Sequence, residues 1–171
     1  MIGKKMVDAI NEQINAEFYS SYLYLSMAAY FDSINLKGFE NWMRVQAQEE
    51  DFHAKKFFDY LLSRQGRVHL KAIAEPQTTW KSPLDAFQTT YKHETVVTGL
   101  INKLATLALK EDDHATSVLL HWFINEQVEE ESNADALVQK LKMISDNSSA
   151  LFLVDQELAA RVFVPPVAGG A

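Results

Sequence analysis

Apolar residues recur along this chain at alternating intervals of four and three, the period of one helix face, in four long stretches. The first runs from about Lys4 to Asp32 and contains neither Gly nor Pro after Gly3. Its seam is Ile10, Ile14, Glu17, Ser21, Tyr24, Ala28 and Phe31. A short turn over Ser33 to Lys37 leads to a second helix, about Gly38 to Gln65, with the seam Phe39, Met43, Gln46, Glu50, His53, Phe57 and Tyr60. Gly66 supplies its stop signal, since glycine is the residue most at home in the left-handed conformation that closes many helices.

Ser82-Pro83 opens a third helix as N-cap and first helical residue. Its seam is Phe87, Tyr91, Glu94, Thr98, Ile101, Ala105 and Ala108. A fourth helix starts at an Asp113 N-cap, with the seam Leu120, Phe123, Gln127, Glu130, Ala134, Leu137, Leu141 and Ile144. Ser145 to Ser148 break it, and a short amphipathic segment follows from Ala150 to about Val162. Between the second and third helices, residues 66–82 are too long for an ordinary loop in a compact domain. They make sense if they travel the length of a bundle, because an extended chain covers about 3.3 Å per residue and a helix only 1.5 Å. The expected fold is all-α: two helical hairpins joined by one long crossover into a four-helix bundle, with a short fifth C-terminal helix. It fills a single domain over residues 1–163, and residues 164–171, rich in Pro, Gly and Ala, form a disordered tail.

Six polar residues interrupt these apolar seams at matched positions. Glu17 is followed 33 residues later by Glu50, inside Glu50-x-x-His53, and Glu94 is followed 33 residues later by Gln127, inside Gln127-x-x-Glu130. An ionised carboxylate is expensive to bury alone, and no seam carries a Lys or Arg to pair with these. Two divalent or trivalent cations would compensate four carboxylates, and carboxylates with one imidazole suit iron or manganese better than soft-ligand metals. The spacing is that of di-metal carboxylate bundles, in which facing helices point such residues inward. A single seam Glu means little; six at one height on four helices point to metal. Glu126, Glu129 and Glu131 crowd one turn of the fourth helix, and Glu49 adjoins Glu50. They are either a solvated face or an adjoining, weaker cation site. Tyr24 is either a core tyrosine or, functionally, a donor to the metal ligands or a redox participant, and His69, His93, His114 and His121 lie off the seams or in loops and read as incidental.

Zero cysteines exclude disulfides, iron–sulfur clusters, zinc ribbons and thiol nucleophiles. A formal net charge of −7 argues against nucleic acid as a partner and suits cation handling, although ordinary solubility explains it equally well. No apolar run reaches the roughly 18 residues of a membrane span, and the N-terminus lacks the apolar core of a secretory signal, so a cytoplasmic location and no membrane association are expected.

Asn41-Trp42-Met43, Gln48-Glu49-Glu50-x-x-His53 and Trp122 through Glu131, in this order, resemble the non-haem ferritins of bacteria and archaea, and the similarity extends from Ile10 to the fifth helix. The resemblance implies a hollow shell of 24 identical subunits that oxidises Fe(II) with O₂ or peroxide and stores ferric mineral. By the same resemblance Glu17, Glu50 and His53 hold one iron, and Glu50, Glu94 and Glu130 the other, with Glu50 bridging. Gln127 stands beside the second iron, and Tyr24 near the centre. Glu49, Glu126, Glu129 and Glu130 match a third iron position.

The departures are also specific. Bacterioferritins carry a second E-x-x-H where this chain has Gln127-x-x-Glu130, and a haem-ligating Met where it has Phe52, so no haem is expected. Animal ferritins line a threefold pore with carboxylates early in the fourth helix, whereas here Ala115 to Leu120 contain none. A rubrerythrin-type peroxide reductase normally carries a cysteine-ligated iron, which this chain cannot. A 12-subunit mini-ferritin builds its site between subunits, whereas here every ligand lies in one bundle. A structural shell without turnover would have no use for the full ligand set.

Overall fold

The computed structural model describes residues 2–144 and 147–165. They form α1 (Lys4–Ser33), α2 (Lys37–Ser63), α3 (Pro83–Lys110), α4 (His114–Ile144) and α5 (Ser148–Leu158). The capping residues act as expected. Ser82 Oγ accepts from the Asp85 amide at 3.1 Å with Pro83 in the first turn. Asp113 accepts from the Thr116 amide at 3.1 Å and from its hydroxyl at 2.7 Å, closing the start of α4.

The helix ends differ from expectation in one respect. α1, α2 and α3 each end in a left-handed residue that is not glycine: Asn35 (φ 59°), Gln65 (φ 60°) and Asp112 (φ 51°). The next amide then donates back across the last turn, Leu36 to Phe31 O at 3.0 Å, Gly66 to Leu61 O at 2.9 Å and Asp113 to Ala108 O at 2.9 Å. Gly66 is therefore not the left-handed residue. It lies one position further on, where a Cβ would meet Leu61 Cδ1 at 2.3 Å. Left-handed backbone costs an L-residue about 1–2 kcal/mol, partly offset by the extra freedom glycine brings to the unfolded chain. Gln65→Gly is expected to raise the thermal unfolding midpoint by about 2 °C, and Gly66→Ala to lower it.

α1 pairs with α2 and α3 with α4, α1 also lies against α3, and α5 packs on α2. Residues 64–82 run beside α1 in register with it. Asn11 holds Arg67 O at 3.0 Å and the His69 amide at 2.6 Å, Asn15 holds Ala72 O at 3.1 Å, and Ser26 holds Gln77 O at 2.6 Å. The long crossover is thus tied down at successive points by polar residues of α1, and it carries the chain along α1 to the end where α1 finishes and α2 begins, so that α3 starts there.

The core divides in two. One cluster joins Tyr24, Met27, Phe31, Phe39, Trp42, Met43, Phe87 and Leu141; the other joins Met6, Ile10, Ile14, Phe57, Leu61, Ile101, Leu120 and Phe123. Phe57 and Phe123 stack at 3.9 Å within the second. The seams of α1, α2 and α4 face inward as expected. On α3 the inward row is Phe87, Thr90, Glu94, Val97, Ile101, Leu104 and Ala108, whereas Tyr91 is 38% exposed. Both rows share Phe87, Glu94, Ile101 and Ala108, and periodicity alone does not say which neighbours fill the gaps.

α5 closes one end of the bundle. Its buried residues Val154, Asp155 and Leu158 face α2, and Phe152 and Leu153 stay exposed. Asp155 Oδ1 accepts from the Gly38 and Phe39 amides at 2.7 and 3.1 Å, capping the start of α2 from a distance of more than a hundred residues. Gly38 permits this contact, since a Cβ there would fall 1.6 Å from Asp155 O. Asn41 Nδ2 in turn donates to Leu158, Ala159 and Arg161 carbonyls. The helix starts and ends a few residues earlier than the Ala150 to Val162 expected, because Asn147 caps it by accepting from the Ala150 amide at 3.0 Å. Of the expected tail, residues 166–171 lie outside the described residues. Among the described residues, no helix is long and apolar enough to cross a membrane.

Candidate metal centre

The polar layer sits between the two apolar clusters, contributed by α1, α2, α3 and α4. Glu17, Glu50, His53, Glu94, Gln127 and Glu130 are all buried, none more than 7% exposed. Glu17, Glu50 and His53 each offer a ligand atom within 4.8 Å of the others, the only such triad among the described residues. Helical spacing puts Glu50 and His53 one turn apart on the same face, with His53 Nδ1 3.4 Å from Glu50 Oε2.

Each carboxylate is held by a donor. Gln13 Nε2 donates to Glu17 Oε1 at 2.8 Å. Tyr24 donates its hydroxyl to Glu94 Oε1, and Gln127 Nε2 reaches Glu94 Oε2 and Thr98 Oγ1, both at 3.3 Å. Gln46 Nε2 lies between Glu130 Oε2 at 2.7 Å and Glu50 Oε1 at 3.4 Å. Glu17 Oε2, buried, meets no amide or hydroxyl donor among the described residues. A buried acceptor of this kind is costly unless something else meets it.

The layer is uncompensated by cations of its own. Burial, then the nearby Glu50 charge, pushes the Glu17 carboxyl up to about 8. Burial and Glu94 push Glu130 to about 8 as well. Glu50 and Glu94 are held well above the carboxylate range by burial first, then by Glu130 and Glu50 respectively. Tyr24 is raised by burial and by Glu94. Four carboxyls in one dry layer, with one imidazole and three amides, form a hard-oxygen pocket suited to two small multivalent cations.

Beside it, Glu49, Glu126, Glu129 and Glu130 line an open cavity of about 240 Å³ with His53 at its inner wall. Glu129 is exposed, and Glu49 and Glu126 are half-buried. Burial raises both of the latter, opposed at Glu49 by Arg161. These side chains do not converge as closely as the triad does.

Four participants were not singled out by periodicity as part of this site. Gln13 flanks the α1 seam, Gln46 reads as an ordinary seam residue, and Arg161 lies beyond the last helix yet reaches Glu49 Oε2 at 2.5 Å. His93, expected to be incidental, hydrogen-bonds Ser20 Oγ at 2.7 Å, packs edge-on to Tyr24 at 6.0 Å, and is lowered by burial to about 4. His69, His114 and His121 are exposed.

A model of the ferritin-like domain matches residues 7–144. The bacterial non-haem ferritin of Staphylococcus saprophyticus is 42% identical over 163 residues, covering 95% of this chain and 98% of that protein. That of Bacteroides fragilis is also 42% identical, over 161 residues, covering 94% of this chain and all of its own. Among solved structures, an engineered closed form of the Archaeoglobus fulgidus ferritin superposes with a TM-score of 0.95 at 54% identity, over 96% of this chain and all of that one. The open-pore ferritin of the same archaeon gives 0.94 at 54% identity, over 95% of this chain and all of that one.

Proposed function

The chain belongs to the non-haem ferritin family of iron-storage proteins, and on that premise we propose that its buried carboxylate layer is a ferroxidase centre. Two Fe(II) ions are the substrate. Glu17, Glu50 and His53 hold one; Glu50, Glu94 and Glu130 hold the other, with Gln127 beside it. Glu50 serves both. O₂ or peroxide accepts the electrons, and ferric iron moves on to a mineral core inside a cytoplasmic shell of about 24 copies with closed symmetry. Glu49, Glu126 and Glu129, with Glu130, form a third, weaker position on the way out. Residues 1–163 are the working domain.

The protein's part is geometry and charge. Hard carboxylate oxygens favour Fe(III) over Fe(II), which lowers the potential and drives oxidation. Gln13 and Gln46 leave one oxygen each of Glu17, Glu50 and Glu130 without an amide donor, whereas Tyr24 and Gln127 hold both oxygens of Glu94 and fix its orientation. Tyr24 keeps its proton through the working pH range and so acts as a donor.

The observation that carries this reading is the buried Glu17 Oε2, which meets no amide or hydroxyl donor among the described residues, within a triad that converges to 4.8 Å. The test is anaerobic titration calorimetry with Fe(II), paired with light scattering. We expect two tightly bound ions per subunit in a particle about 24 times the 19.4 kDa chain mass. A stable monomer or dimer at neutral pH would sink the storage reading, and absence of tight binding would sink the ferroxidase centre.

A further inference from the structure

Arg161 is placed by tertiary structure at the mouth of the acidic pocket. α5 docks on the start of α2 through Asp155, and Asn41 fixes the carbonyls of Leu158, Ala159 and Arg161. From that anchored end the side chain turns inward. Its Nη2 lies 2.5 Å from Glu49 Oε2, and its Nη1 donates to Gln46 Oε1 at 2.9 Å and to Trp42 O at 3.3 Å. The guanidinium also lies 4.4 Å over the Trp42 ring. Both members of the Arg161–Glu49 pair are partly buried, with 21% and 24% of their side chains exposed.

Two consequences follow. The first is competition. A cation held in the pocket by Glu49 would have to share a carboxylate whose Oε2 Arg161 already holds, with the positive guanidinium beside it, so the bound arginine opposes the cation. The second is coupling. Because Arg161 donates to Gln46 Oε1, the Gln46 amide nitrogen must face the other way, toward Glu130 and Glu50. Arg161 thus reaches the inner carboxylates through one side chain. Its other contacts make release cheap: on leaving Glu49, the guanidinium keeps Gln46, the Trp42 carbonyl and the Trp42 face.

We propose that Arg161 is a built-in counter-cation of the acidic pocket, a positioning residue that blocks Glu49 until an incoming divalent cation displaces it. It sets when a third cation is held beside the two inner ones and orients Gln46 for Glu130. The proposal rests on the ferroxidase reading above, and its test separates the two.

The probe is Zn²⁺, which binds hard and nitrogen ligands without redox change, titrated anaerobically into the assembled protein by calorimetry. Arg161→Met removes the charge and keeps the stem; Arg161→Lys keeps the charge and loses the fork. Arg161→Met is expected to tighten the third equivalent about tenfold, the scale of one hydrogen bond to a charged group, with a smaller change in the first two carried through Gln46. Arg161→Lys should stay close to wild type. Adding Glu49→Gln to Arg161→Met should abolish the gain. An unchanged or weakened third equivalent in Arg161→Met overturns the proposal, as does equal behaviour of the Met and Lys variants, which would make Arg161 a strap and not a counter-charge. Light scattering confirms that each variant assembles, and Arg161→Gln replaces Arg161→Met if that variant does not. Absence of the two tight equivalents in wild type would overturn the ferroxidase reading instead, and the comparison of the third between variants would still stand.

Discussion

Glu50→Ala is expected to abolish the rapid phase of aerobic Fe(II) oxidation in stopped flow. Glu50 is the one carboxylate close to both halves of the layer: it lies in the triad with Glu17 and His53, and shares the Gln46 amide with Glu130. Loss of even an outer partner of a metal ligand costs 10–100-fold, so loss of a ligand to both ions should exceed about 100-fold. His53→Ala and Glu94→Ala should each weaken one of two binding steps and leave a slower rapid phase. Stability serves as the control for misfolding. Removing Glu50 relieves a buried carboxyl that burial and Glu130 already disfavour in its charged form, so the metal-free variant should melt at or above the wild-type temperature. Equal oxidation rates in Glu50→Ala and wild type would place the chemistry elsewhere.

Much of this site was legible in the sequence because helix periodicity reports which face a residue occupies. Glu17, Glu50, His53, Gln127 and Glu130 stand in seams that the structure buries, and the crossover announced itself by a length no ordinary loop needs. Where two helical rows share every second member, periodicity no longer decides. That is why Tyr91 was expected inside and Thr90 is found there. The sign of φ at a helix end is likewise not encoded in residue type alone. Gln65 takes the left-handed position beside a glycine that takes the close approach to Leu61.

The larger omission is Arg161. No one-dimensional pattern places a residue beyond the last helix beside Glu49, more than a hundred positions away. That contact depends on Asp155 capping α2 and on Gly38 leaving room for α5. His93 was hidden for a different reason. It stands next to Glu94 and off the row, and only helix packing turns its ring against Tyr24. Residues that hold the ligands thus come from flanking positions and distant segments, while the ligands themselves come from the seams.

The metal-free protein should become less stable as pH rises, the reverse of the usual acid sensitivity of surface carboxylates. The sign follows from the raised carboxyls. Glu17 and Glu130 are lifted from an ordinary 4.5 to about 8, and Glu50 and Glu94 also lie well above it. Between pH 4.5 and 8 the folded layer therefore binds more protons than the unfolded chain, and stability falls with pH across that window. The contribution is fully present below 4.5 and is lost as pH passes through about 8. One buried carboxyl shifted this far is destabilised on the order of 5 kcal/mol when forced to ionise. The unfolding midpoint of metal-free protein should therefore drop by about 10 °C or more between pH 5.5 and 9. Glu50→Gln, which keeps shape and removes the charge, should flatten that slope. Divalent cations should reverse it, because ligands must deprotonate to bind them. Calorimetry in buffers of different ionisation enthalpy at pH 7 should then record the release of about two to four protons per subunit on filling both positions. A midpoint that is flat or rises between pH 5.5 and 9, or metal binding without proton release, would show that these carboxyls are already ionised and compensated within the protein.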